Sequence, residues 1–396
     1  MSLQRDVEID DWRGEVRAFL RRNITDGLRR ELGRGEAIPR LGVNQPPHVM
    51  EFRQRVIEQG WLGLALPTEY GGLGKSALEQ YVLITEFQRA GVPNMSLTVT
   101  SLGPTIAKYG TDDNKKMWLP GVISGEIEMA LGYSEPEAGT DLANLATRGT
   151  LGDGKWSIDG QKIWNSGAHS CTHEWLAVRT DPDAPKHRGI SIIVVPIDAE
   201  GIDVQPLWTW GDVRTNLTSF SNVSVSQENL IGDRDRGWQY IVAALDFERV
   251  SIGGYLGQAM AAFDRLLLWC TNTVVDGRLP ASRPDVRRKL AELERDIAVA
   301  DLFGLHTVQM IDAGEIPSRE ASQHKVLVTE LLAKFADYGT QIQGLYGQLD
   351  RADPWAPSSG TAEVLYRQAP YLRFGGGTNE IQRDIIAQRG FGLPRA

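Results

Sequence analysis

Three short stretches of this chain hold residues whose types and spacing could do chemistry. The first runs Gly132-Tyr133-Ser134-Glu135-Pro136-Glu137-Ala138-Gly139-Thr140-Asp141. It brings the hydroxyls of Ser134 and Thr140 around Gly139, so short polar groups lie on a backbone that a ligand can approach closely. A polar strand-to-loop turn would explain Pro136 and Gly139 without any ligand. The second, Gly375-Gly376-Gly377-Thr378-Asn379-Glu380-Ile381-Gln382-Arg383, offers bare backbone amides, and Thr378 is also a competent helix N-cap. The third is Leu245-Asp246-Phe247-Glu248-Arg249. Helical spacing would put Ala244, Leu245, Ser251, Ile252 and Tyr255 on the face of Glu248. A carboxylate on so apolar a face is expected to titrate nearer neutrality, which suits a general base. The alternative is a surface Glu-Arg pair. His169, Cys171 and His173 alternate and could mimic a metal site, but no fourth ligand stands at a telling spacing. No metal is expected.

The elements that must position these residues fall into three blocks. Residues 1–127 are expected to be helical, with Trp12, Val16, Phe19 and Leu20, then Phe52, Val56 and Leu62, at helical spacing. A turn at 67–74 precedes a further helix over 78–87. Residues 128–235 change texture. The β-branched and aromatic runs at 155–160, 174–179 and 190–195 are bounded by Gly, Pro and Asp, which predicts a β domain. Residues 236–396 return to helices, with apolar stripes at Val286, Leu290, Leu293 and Ile297 and at Leu327, Leu331, Phe335 and Tyr338. Successive long helices predict a four-helix bundle. The fold class is therefore α+β.

Composition removes other classes. The net charge is −9 and no block of Lys or Arg could track a phosphate backbone, so nucleic acid is not an expected partner. Two cysteines are too few for a disulfide framework. Asp6, Glu8, Asp10 and Asp11 argue against a signal or transit segment, and no apolar run reaches bilayer length. A cytoplasmic location is expected.

Together the first two stretches resemble the two flavin-contacting signatures of the acyl-CoA dehydrogenase family. The string Gly160-Gln161-Lys162-Ile163-Trp164-Asn165-Ser166-Gly167 resembles a third family strand. The resemblance covers nearly the whole chain and implies the family's three-domain order and an FAD cofactor. It implies flavin contacts at Leu131, Tyr133, Ser134, Gly139, Thr140, Trp164, Ser166, Thr378 and Glu380, with Thr140, Asp246 and Arg249 near the substrate. Because the chain has 11 tryptophans, a core role for Trp164 is the plain alternative. The implied reaction takes an acyl-CoA to its trans-2-enoyl-CoA, the α-proton going to a carboxylate and the β-hydride to flavin N5. Electron-transfer flavoprotein is the implied acceptor.

The chain departs from the family at three places. Gly376 stands where most members carry the catalytic glutamate, leaving only its backbone N–H for the thioester oxygen. Other members carry the glutamate on a neighbouring helix, and Glu248 lies at the matching place. Thr273 stands where the family often has an arginine that reaches a neighbour's flavin, and Leu345 alters the adjacent glycine loop. Such losses resemble those of heteromeric members from bacterial sterol degradation. They imply a homotetramer or a heterotetramer with a second acyl-CoA dehydrogenase-like chain. A bulky, branched or steroid-like acyl group is expected, partly from Gly253, Gly254 and Gly257 beside Glu248. A catalytically silent or flavin-poor partner subunit, and a flavin oxidase or monooxygenase on the same fold, are the alternative readings.

Overall fold

The computed structural model describes residues 7–34 and 41–394. Asp6 and the outermost residues of the two expected helical blocks lie outside them. Six helices come first: α1 (Val7–Asn23), α2 (Asp26–Arg34), α3 (Pro47–Glu58), α4 (Ala77–Arg89), α5 (Gly103–Tyr109) and α6 (Asp112–Ser124). The start of α4 is doubly fixed. Ser76 and Glu79 form a reciprocal capping box, and the Asp312 carboxylate accepts from the Ala77 and Leu78 amides at 2.7 and 3.1 Å. Trp12, Phe19, Phe52, Trp61 and Phe87 meet as tilted and edge-on rings in the first core.

The middle region is a seven-stranded sheet: β1 (Met129–Gly132), β2 (Arg148–Gly152), β3 (Lys155–Ile163), β4 (His173–Arg179), β5 (Ile190–Pro196), β6 (Ile202–Trp208) and β7 (Arg214–Ser226). The order is β1-β4-β2-β3-β7-β6, with β5 on β4. Strand alternation divides the burial. Trp175 and Ala177 of β4 join the helical core, while Leu176 and Val178 join a separate core with Trp156, Ile158 and Phe220. His169 sits in a helical turn over Ala168–Ser170 before β4 begins, so the three alternating residues do not share a strand face. Among the described residues no cluster could hold a metal, and no helix is long and apolar enough to cross a membrane.

The last block contains α7 (Gly237–Glu248), α8 (Gly253–Asn272), α9 (Pro284–Asp312), α10 (Ser318–Gln343), α11 (Thr361–Phe374) and α12 (Asn379–Ile385). Helices α8 to α11 pack together around Leu266, Leu293, Leu332 and Leu372. The expected continuous helix through Glu248 is interrupted. Helix α7 ends at Glu248, one tight turn spans Arg249–Ile252, and α8 starts at Gly253. Three glycines then bring α8 against α4. A Cβ would fall 2.7 Å from the Tyr81 ring at Gly253 and 2.3 Å from the Thr85 carbonyl oxygen at Gly257. At Gly254 it would lie 3.4 Å from Asn94 and Gln88. These glycines serve close helix packing and do not widen an acyl pocket.

Candidate active site

The middle-domain half of the site is built on buried polar support. Lys162, near the end of β3, is fully buried and donates to the Tyr133 carbonyl at 3.1 Å and to Glu135 Oε1 at 2.7 Å. Glu135 also accepts from the amides of Ala146 and Thr147 at 2.7 and 2.9 Å. Burial works to raise the Glu135 carboxyl, but Lys162 and these N–H donors hold it below its ordinary value. Burial pulls Lys162 down, opposed by Glu135. The ion pair thus pins the backbone on both sides of Ser134. The Ile163 amide completes the clamp by donating to the Ser134 carbonyl at 2.9 Å.

Asn165 carries the next tie. Its Nδ2 donates to the Leu131 carbonyl at 2.9 Å and to Oε1 of the fully buried Glu174. Burial raises Glu174 to about 8, with Lys162 opposing. Tyr133 is buried and its hydroxyl accepts from Trp175 Nε1 at 3.0 Å. These bonds set Leu131, Tyr133 and Ser134 beside Trp164 and Ser166. Trp164 adopts φ 65° and is 54% exposed, so it is not a core tryptophan. Ser166 Oγ lies 3.5 Å from the hydroxyl of Tyr371 on α11, which joins this half to the C-terminal helices. Gly139 and Thr140 are exposed.

The C-terminal half is a glycine turn between α11 and α12. Gly376 and Gly377 have φ of 67° and 86°, where a side chain would be strained. Gln382 Nε2 donates to the Gly376 carbonyl at 2.9 Å. Thr378 caps α12 by accepting from the Ile381 amide at 3.2 Å, and Glu380 is exposed in its first turn. Glu248 reaches the same turn from α7. A Cβ at Gly376 would lie 3.7 Å from Glu248 Oε1. The charge of Glu248 also contributes to the upward shift of Tyr133, which burial dominates. The structure therefore brings Glu248, Gly376 and Tyr133 into one neighbourhood.

Arg249 forms an ion pair with Asp246, and its side chain is 15% exposed. Burial pulls the guanidinium down, and its Nη1 is buried without a partner among the described residues. Neither Arg249 nor Asp246 belongs to a fully solvated surface pair. Sequence reasoning missed the support layer: Glu135, Lys162, Asn165, Glu174 and, beneath the glycine turn, Lys325. Neither lysine is marked by its neighbours, Gln161 and Ile163 for Lys162 and His324 and Val326 for Lys325, so residue type and spacing carried no signal.

Over nearly its whole length the chain matches the three models of one family: acyl-CoA dehydrogenase N-terminal domain at residues 7–126, middle domain at 130–223 and C-terminal domain at 235–391. The protein belongs to the acyl-CoA dehydrogenase family. It is an oxidoreductase of that family, and its cofactor is FAD. The acyl-CoA dehydrogenase FadE26 of Mycobacterium tuberculosis is 38% identical over 357 residues, covering 87% of this chain and 88% of that protein. Among solved structures, the Tcur3481-Tcur3483 steroid ACAD superposes with TM-score 0.91 at 37% identity, covering 100% of each chain. The ChsE4-ChsE5 complex from Mycobacterium tuberculosis superposes with TM-score 0.88 at 34% identity, again over 100% of each chain. The residues present fit FAD. An uncovered indole stands beside Ser134 and Ser166, and a Cβ at Gly139 would meet no atom of the described residues within 4 Å.

Proposed function

We propose that this chain is the flavin-holding, base-carrying subunit of a heteromeric acyl-CoA dehydrogenase, with Glu248 as the base. The supporting observation is the 3.7 Å between Glu248 Oε1 and the Cβ position of Gly376. The carboxylate of α7 ends where a side chain at position 376 would begin. Bound FAD supplies the acceptor for two electrons and the β-hydrogen. Glu248 takes the α-proton, and the electron pair left on the α-carbon closes the new C=C bond. Charge that builds on the thioester oxygen is met by the Gly376 N–H, a donor that needs no side chain. Leu131, Tyr133, Ser134, Gly139, Thr140, Trp164, Ser166, Thr378 and Glu380 would hold the flavin. Thr140, Asp246 and Arg249 would face the substrate. The working division of the chain is 1–127, 128–235 and 236–396.

The substrate class is a bulky, steroid-like acyl-CoA, supported by the relatives named as steroid enzymes. The partner is a second acyl-CoA dehydrogenase-like chain, supported by the ChsE4-ChsE5 complex and by Thr273 and Leu345 where this chain lacks family features. Electron-transfer flavoprotein is the acceptor and the reaction a step of β-oxidation. The test is Glu248→Gln in the purified complex. Flavin content and acyl-CoA binding stay, and kcat falls roughly 10²–10⁴-fold. A variant within threefold of wild type removes Glu248 as the base. A homotetramer purified alone with four tight flavins and full activity removes the heteromeric reading.

A further inference from the structure

The glycine turn is held from below by a group that the reaction as described does not use. Lys325 lies on α10 and is 3% exposed. Its ammonium donates to the carbonyl of Arg373 at 2.8 Å, the carbonyl of Gly377 at 3.0 Å and Asn379 Oδ1 at 2.7 Å. All three acceptors flank Gly376, so every N–H of this ammonium is spent on the turn. Thr329, one helical turn along, accepts from Asn379 Nδ2 at 3.0 Å and fixes that side chain too. A lysine buried for packing alone would hardly collect three acceptors within seven residues. A turn of three consecutive glycines has no side chains to hold it, and it needs such a clamp if one of its amides is to aim at a substrate.

The same ammonium faces charge. Glu248 at the end of α7, Glu380 and Arg383 on α12 and Glu330 on α10 all act on it. Burial nonetheless dominates and brings Lys325 down to about 8.

We propose that Lys325 is the positioning residue of the active-site turn: it fixes the direction of the Gly376 N–H and sets a buried positive charge against Glu248. This rests on the reading of Glu248 as the base. The lysine forms no bond to substrate and transfers no proton. It acts through the turn, and through the attraction between its ammonium and the Glu248 carboxylate. In most family members a single glutamate both carries the carboxylate and anchors its own amide. Here the two functions sit on separate elements, and α10 is what ties their geometry together.

The test compares Lys325→Met and Lys325→Gln in the holoenzyme complex. The first removes donors and charge; the second keeps one donor group and removes the charge. Three quantities are measured: amide exchange across residues 374–378, KM against kcat, and the acidic limb of the kcat–pH profile. In Lys325→Met, exchange across the turn rises about tenfold or more. Its kcat falls about 10–100-fold with a smaller change in KM, as for a misaligned transition-state donor. In both variants the acidic limb moves up by about half a pH unit or more, because a cation that favoured the ionised base is gone.

An unmoved acidic limb overturns the proposal, even with a lower melting temperature, since a merely structural lysine would produce that pattern. Exchange that rises equally throughout the molecule also overturns it. If Lys325→Met does not fold, Lys325→Gln carries the test, and if neither folds the lysine is structural and the proposal falls. A fully active Glu248→Gln enzyme would instead remove the functional reading beneath it, whatever Lys325 does.

Discussion

The two halves of the site solve one problem in opposite ways. In the middle domain, the segment from Leu131 to Thr140 carries its own chemical groups and is stiffened from beneath. Lys162 and Asn165 donate to its Tyr133 and Leu131 carbonyls, and Glu135 accepts from the Ala146 amide, which continues the sheet's order into the loop. At the C-terminal turn the chain has only backbone to offer. Gly376 has no side chain; Glu248 Oε1 of α7 lies 3.7 Å from its Cβ position, and Lys325 and Gln382 hold the turn. A motif with side chains needs support; a motif without them needs support and an imported functional group.

The comparison can be broken on its stiff side first. Lys162→Met leaves Glu135 buried with its cation gone, and breaking one partner of such a pair costs about 3–5 kcal/mol. Thermal or denaturant unfolding should show that loss together with weaker FAD retention. A variant that binds FAD normally and loses under 1 kcal/mol would mean the ion pair does not organise the flavin segment.

Glu174 gives a pH-dependent version. Its folded pKa of about 8 lies above the ordinary 4.5, so the fold favours the protonated acid. The stability it contributes is complete below pH 4.5 and is lost as pH rises toward 8. Glu174→Gln copies the protonated form. It should match wild type near pH 4.5 and be more stable by about 1–3 kcal/mol at pH 8. Equal melting temperatures at both pH values would contradict this.

The open side predicts a smaller effect on stability. Gly376→Ala places a methyl in a left-handed conformation, at a cost of about 1–2 kcal/mol, and in contact with Glu248 Oε1. Activity should fall further than stability does, because the methyl crowds the carboxylate. A variant with unchanged kcat would show that the base does not work from that space.

Much of this was legible in the sequence, for identifiable reasons. Apolar spacing such as Val286, Leu290, Leu293 and Ile297 exposes a helix face directly, and all four are buried. Strands β6 and β7 were not singled out. The first contains Pro206 with largely exposed neighbours, and the second is rich in Ser, Thr and Asn. The break after Glu248 was hidden because the contact that shapes it, Gly253 against Tyr81, lies 172 residues apart in sequence. Among the site residues, Trp164 could not be told from a core tryptophan by type alone, and its exposure and φ decide that point. Lys325 was invisible for a related reason: a lysine on a helix reads as a solvated face until its three acceptors are seen.

The central claim is that the base now sits on α7. The most direct measurement is anaerobic exchange of the substrate's α-hydrogen with solvent deuterium, followed by NMR in wild type and Glu248→Gln with matched flavin content. Exchange in wild type that falls by roughly 10² or more in Glu248→Gln is the predicted result. Exchange that persists in Glu248→Gln at the wild-type rate would place the base elsewhere and contradict the account.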